Sequence, residues 1–152
     1  MDALTVGLAF AGLVALSTTA GLIIRAREGR AKVLKDAIRV TPEELGLRRA
    51  DLPFGSAATL VQFSSEFCTK CPATRVLLQQ TAASTPGVRH IDIDVTNRPD
   101  IANHFSLMQT PTTLVLDEAG LLAARIGGAP RPDALNRALE IALRRDHGNY
   151  HI

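Results

Sequence analysis

Apolar residues run without a charge from Ala3 to Ile24, 22 positions in all. A stretch of that length, apolar on every side of a helix, spans a hydrocarbon core. A secretory signal would open on a basic n-region, and only Met1-Asp2 precedes the run here. Residues 1–24 therefore read as a retained single-pass anchor. Beyond it, residues 25 to 40 read as a polar helical stalk. Thr41-Pro42-Glu43-Glu44 has the form of a capping box, with Thr as N-cap, Pro at N1 and Glu at N3, and Gly46 is placed to end that short helix. Leu52 to Ser56 reads as a turn.

From there the pattern alternates between strand and helix signals. Thr59 to Phe63 is a continuous apolar-rich run and predicts a buried strand. Pro72 to Ala83 predicts a helix with Ala73, Val76, Leu77 and Ala83 available to a buried face. Pro86-Gly87 predicts a turn, Val88 to Ile93 a strand, and Pro99 to Leu107 a short helix. Thr112 to Leu116 and Leu121 to Ile126 predict a hairpin about Glu118-Ala119-Gly120. Pro132 opens a last helix in which Leu135, Ala138, Leu139 and Ala142 follow the i, i+3, i+4, i+7 spacing. The order β-α-β-α-β-β-α joins a parallel pair through a helical crossover and then adds an antiparallel hairpin. The fold class is α/β, a mixed sheet with helices on both faces.

Charge changes the picture at one place. Arg25, Arg27, Arg30, Lys32, Lys35 and Arg39 follow the apolar run, against Glu28 and Asp36. Of the 17 Lys and Arg in the chain, 11 then remain for residues 40–152, against 12 acidic residues. The sequence pI of about 8.8 thus comes from the juxtamembrane segment and not from a nucleic-acid-binding face. Anionic lipid head groups are the natural partner of such a stretch. No Lys or Arg precedes the span, so the positive-inside rule puts the C-terminal domain on the cytoplasmic face of a cell membrane.

The only two cysteines form Cys68-Thr69-Lys70-Cys71, after a predicted strand and at the opening of a predicted helix. Two thiols at i and i+3 can close a small disulfide ring, and the positive end of the helix stabilises a thiolate there. Lys70 adds positive charge nearby. Cys68, toward solvent, is the expected attacking thiol, and Cys71 the buried resolving thiol. A zinc site needs four ligands, and His90, His104, His147 and His151 lack the spacing to supply them. Haem attachment needs His after the second cysteine, where Pro72 stands. A purely structural staple is the remaining alternative, although such staples usually close longer loops.

Four segments in order carry a resemblance. Val61 to Cys71 looks like the strand-to-active-site segment of the thioredoxin family. His90-Ile91-Asp92-Ile93-Asp94 is similar to its central strand, Gln109-Thr110-Pro111-Thr112 to its cis-proline loop, and Arg125-Ile126-Gly127-Gly128 to its glycine strand end. Residues 57 to 145 thus resemble a thioredoxin domain, and with the anchor the chain looks like a bacterial membrane-tethered thioredoxin-like protein. The resulting layout is an anchor (1–24), a basic juxtamembrane stalk and linker (25–56), a thioredoxin-like domain (57–146) and a tail (147–152).

The resemblance implies a protein disulfide oxidoreductase that exchanges disulfides with protein substrates and with an electron donor or acceptor. It needs no cofactor beyond its own redox-active disulfide, and no metal. It makes Thr110, Pro111 and Gly127 the substrate-binding positions, with a cis bond before Pro111 and Thr110 pairing with an extended substrate in β fashion. Phe67, Thr69, Lys70, Pro72, Gln62 and His90 become the residues that support the cysteines. The departures are specific. Thr-Lys replaces Gly-Pro between the cysteines, Phe67 and Ser64 stand where the family has tryptophans, and Val76 replaces the proline of the active-site helix. The family's buried carboxylate falls at Gln62, which carries no proton, and its lysine partner falls at His90, a candidate proton shuttle. The rival reading is a membrane-held binding module, either redox-silent or using both thiolates for soft Cu(I).

Overall fold

The computed structural model describes residues 2–33, 38–47 and 54–144. The first element, α1 (Ala3–Arg27), is a single helix, and its stretch Thr5–Ala26 is long and apolar enough to cross a membrane. None of that stretch is buried against the rest of the chain.

A five-stranded sheet follows, built from β1 (Ala31–Val33), β2 (Ala58–Ser64), β3 (Val88–Asp94), β4 (Thr112–Asp117) and β5 (Leu122–Gly127). The strand order is β1-β5-β4-β2-β3. Strands β2 and β3 are parallel, and every other neighbouring pair is antiparallel. The parallel pair needs a crossover, and α2 (Cys71–Ser84) provides it. Two further helices flank the hairpin strands, α3 (Pro99–His104) before β4 and α4 (Pro132–Leu143) after β5.

Alternation along the strands divides the core in two. Ala58, Leu60, Val115, Ala124 and Ile126 face one way and pack with Leu78 of α2 and with Leu135, Ala138, Leu139 and Ala142 of α4. Val61, Phe63, Ile91, Ile93, Leu114 and Leu116 face the other way and pack with Ile101 of α3. The mixed sheet therefore has helices on both faces, as the sequence predicts.

The segment between the anchor and the domain departs from expectation. In place of a helical stalk over 25–40, the helix stops at Arg27 and residues 31–33 form β1, hydrogen-bonded to the edge of β5. Ile38 to Val40 continue along the other end of that edge, where Leu122 N–H donates to the Ile38 carbonyl at 2.8 Å and Arg39 bridges Leu121. Val40 and Leu45 are buried in the second core cluster, so this segment is part of the fold. Residues 34–37, 48–53 and 145–152 lie outside the described residues, and with them part of the expected Leu52–Ser56 turn and the tail.

The capping box forms as written but holds one turn. Thr41 N–H donates to Glu44 Oε2 at 2.8 Å, and Glu44 N–H donates back to Thr41 Oγ1 at 3.4 Å. Gly46, at φ +70°, then reverses the chain. Helix α3 is also shorter than its sequence pattern. Ser106 takes φ +47°, Leu107 N–H donates to Ala102 O and Ser106 N–H to Asn103 O, the closed end of a Schellman motif.

Candidate functional site

Strand β2 delivers the chain to the site. Ser64 ends the strand, and the turn Ser65–Lys70 swings across the sheet end into α2, with Cys68 N–H donating to Ser65 O at 3.1 Å. Helix α2 begins at Cys71 itself, with Lys70 as N-cap and Pro72 in the first turn, where its missing N–H costs nothing. Cys68 lies one turn ahead of the helix and is joined to Cys71 in a disulfide, with the Cα atoms 5.4 Å apart. Cys71 is 2 % exposed, whereas Cys68 is partly open to solvent.

A cavity of about 360 Å³ opens over the disulfide, lined by Glu28, Ser65, Phe67, Cys68, Thr69, Lys70 and Thr110. The Thr110–Pro111 bond on its wall is cis, as the resemblance implies. Ser65 Oγ and Thr110 Oγ1 are 3.2 Å apart and tie the cysteine turn to the proline loop. The Pro111 carbonyl accepts from Gly128 N–H at 2.8 Å, which holds the end of β5 against the same loop. Gly127 lies beside Gln109, whose Nε2 would stand 2.8 Å from any Cβ added there. Thr110 thus shares one cavity with Cys68, Phe67, Thr69 and Lys70, while Pro111 and Gly127 are held together at the foot of its loop.

Gln62 lies beneath the site, fully buried, with Nε2 donating to the Cys71 carbonyl at 3.1 Å and Oε1 without a protein partner. His90 lies on β3 beside Leu60, not beside Gln62. Burial lowers the His90 pKa, against an upward pull from Asp92 and with a further downward push from Arg75. The residue in register with Gln62 is Asp92. Its Oδ2 accepts from Arg75 Nε at 2.9 Å and from the same guanidinium's terminal nitrogen, while its Oδ1 is buried without a partner. Arg75 also lines a second cavity of about 210 Å³ with Cys68, Cys71, Glu66 and Asp94.

Asp92, Arg75 and Glu28 join the site beyond the residues expected from the sequence. Two of them had a signal. His90, Asp92 and Asp94 alternate onto one strand face, and Arg75 is one helical turn beyond Cys71. Glu28 had none. It reaches the site from the end of α1, with its Oε1 2.6 Å from Lys70 Nζ. Among the described residues, no group of three or more His, Cys, Asp or Glu is placed to hold a metal ion.

The thioredoxin family model matches residues 51–140. Thioredoxin from Mycolicibacterium smegmatis is 33% identical over 96 residues, which is 61% of this chain and 85% of that protein. Thioredoxin C-2 from Corynebacterium nephridii is 27% identical over 84 residues, 55% of this chain and 78% of that one. Among solved structures, thioredoxin NaTrxh from Nicotiana alata superposes with a TM-score of 0.51 at 25% identity, covering 57% of this chain and 74% of that chain. All three likenesses cover little more than half of the chain, and the matched family residues begin well past α1. The chain belongs to the thioredoxin family, and its Cys68–Cys71 pair is the redox-active disulfide of a thiol-disulfide oxidoreductase.

Proposed function

We propose that this protein is a membrane-tethered thiol-disulfide oxidoreductase in which Cys68 attacks protein disulfides and Cys71 resolves them. The observation that carries the assignment is the difference in access. Cys68 lines the open cavity beside Thr110, while Cys71 is 2 % exposed. In the reducing direction the Cys68 thiolate attacks one sulfur of a substrate disulfide, which breaks and releases the other sulfur as a thiolate. Cys71 then loses its proton and attacks Cys68 Sγ. The mixed disulfide breaks, the second substrate sulfur leaves as a thiolate, and the Cys68–Cys71 bond forms. Two electrons have passed to the substrate. The oxidising direction is the same sequence reversed. Thr110's backbone offers an extended substrate a β-type partner next to Cys68.

Trapping tests the roles. Cys71→Ser should accumulate mixed disulfides on a non-reducing gel, and Cys68→Ser should accumulate none. The reverse pattern would exchange the two assignments.

The tether is α1, supported by its unbroken apolar length and by the absence of any burial along it. Six basic residues after the span and none before it favour a cytoplasm-facing domain. That setting favours a reductase, since cytoplasmic thiol pools keep such dithiols reduced. Labelling intact cells with a membrane-impermeant maleimide tests the side. Rapid modification of reduced Cys68 without permeabilisation would place the domain outside.

A further inference from the structure

The position of Glu28 has a consequence for the kind of partner this site can meet. Its own N–H still donates to Ile24 O at 3.2 Å, so it continues the last turn of α1. Its carboxylate is paired with Lys70, inside the Cys68–Cys71 ring, at 2.6 Å. The next residue is bound on both sides. Gly29 N–H donates to Gly127 O at 2.9 Å, and Gly29 O accepts from Arg131 N–H at 3.3 Å. The end of the apolar helix is thus fastened to the domain by three contacts, one of them to the CxxC loop itself and one to the end of β5.

Two cavities meet at Glu28. One, of about 360 Å³, holds Cys68 and Thr110; the other, of about 370 Å³, is lined by Ile24, Glu28, Gln109 and Gly127. The groove beside the cis-proline loop therefore runs from the disulfide down to Ile24, the last residue of the uncharged run. Along a helix, Ile24 to Glu28 is a rise of about 6 Å. The polar layer on each side of a bilayer is about 5–7 Å deep. With α1 in a membrane, Glu28, Lys70 and the mouth of the groove lie at head-group level.

The rim agrees with that depth. Phe67 and Met108 are 81% and 91% exposed, two large apolar side chains at the same end of the domain as the disulfide and the proline loop. At the foot of α1, Arg30, Arg131 and Arg137 surround a cavity of about 450 Å³ between β1 and α4, with Asp133 paired to Arg137 at 2.7 Å. Cations beside apolar side chains suit a surface resting on lipid head groups.

We infer that the disulfide faces the bilayer, and that its redox partner is a membrane-embedded protein presenting a cysteine pair within the head-group layer. This rests on the reading of α1 as a membrane span. In the exchange, a thiolate of the partner attacks Cys68 Sγ, the Cys68–Cys71 bond breaks, and Cys71 leaves as a thiolate and takes up a proton. The partner's second thiolate then displaces Cys68. The partner is oxidised to a disulfide and the Cys68–Cys71 pair is reduced by the same two electrons; the opposite flow reverses each step.

The test uses the full chain in phosphatidylcholine vesicles containing phosphatidylglycerol. The chain has no tryptophan, so an introduced one reports alone. Phe10→Trp should be quenched by lipids labelled deep in the acyl chain, and Phe67→Trp by lipids labelled at the head group. An unquenched Phe10→Trp would overturn the span itself. A quenched Phe10→Trp with an unquenched Phe67→Trp would leave the span standing and overturn this inference. Reach tests the partner. A palmitoylated peptide with its cysteine pair two residues from the lipid extends ~7 Å, and one with twelve residues extends ~40 Å. The short tether should exchange with Cys68–Cys71 about a hundredfold faster than the same peptide in solution, through effective concentration alone. Exchange with the long tether only would put the disulfide on the far side of the domain and overturn the inference.

Discussion

The side chain of Gln62 is bound to the backbone of the resolving cysteine: its Nε2 donates to Cys71 O at 3.1 Å, while its Oε1 is buried without a partner. A neutral amide thus occupies the place beneath Cys71 where the family resemblance sets a carboxylate. An amide can orient Cys71 but cannot take its proton.

Gln62→Asp should therefore change the pH dependence of disulfide reduction. Position 62 is fully buried, and burial raises a carboxyl pKa. The rate profile should gain an inflection above the ordinary carboxylate value of about 4. The variant also loses the donor to Cys71 O, a change of about 1–3 kcal/mol in stability. A profile superimposable on that of the parent would remove position 62 from control of the resolving thiol.

Glu28→Gln should raise the reduction potential of the Cys68–Cys71 pair. Glu28 offsets the charge of Lys70. Without that offset the Lys70 ammonium stabilises a Cys68 thiolate more strongly, and a stabilised reduced form is a better oxidant. Both partners are partly exposed, at 55% and 34%, so the pair is worth about 0.2–1 kcal/mol. That corresponds to about 5–20 mV for two electrons. Redox titration against glutathione measures it, and a shift to lower potential would contradict the electrostatic account.

Gly128→Ala should act on the same contact from the other side. Gly128 has φ +80°, and a Cβ there would stand 2.5 Å from Glu28 Cγ. Left-handed backbone costs an alanine about 1–2 kcal/mol, and Glu28 must move away from Lys70. Gly128→Ala should then lose stability and also shift the potential in the direction of Glu28→Gln. Gly120→Ala is the control. It has φ +75° but meets Val40 O and Phe54 at the opposite end of β5, so it should lose stability with the potential unchanged.

Stability should fall with pH below about 6.5, the ordinary His value, through His90. Burial lowers its folded pKa, more than Asp92 raises it, and Arg75 lowers it further. The unfolded chain therefore takes up a proton at higher pH than the folded one. The contribution is whole above the unfolded pKa and is lost as pH falls through it toward the folded value. His90→Gln should flatten the dependence of the denaturant midpoint on pH in that window. An identical slope in both proteins would show that His90 is not its source.

Much of this molecule is written locally. The 22-residue apolar run, the β-α-β-α-β-β-α order and the cysteine pair at a helix start depend on periodicity and on neighbours within a turn. Those signals survive without the rest of the fold. The hairpin of β4 and β5 was legible for the same reason, with a turn at Asp117–Gly120 and apolar runs on each side.

What the sequence could not disclose came from pairing across the chain. Ala31-Lys32-Val33 carries no strand pattern of its own, and it becomes β1 because β5 offers an edge of unpaired N–H and C=O groups. The same edge draws Ile38 to Val40 out of the expected stalk. Asp92 rather than His90 lies opposite Gln62 because the parallel register of β2 and β3 decides it, and register is a property of two strands. Glu28 and Lys70 are 42 positions apart and meet only because Gly29 is bound to the end of β5. Local chemistry determined the anchor-like helix, the domain and its disulfide; hydrogen-bond partners distant in sequence decided what surrounds that disulfide and how closely the helix approaches it.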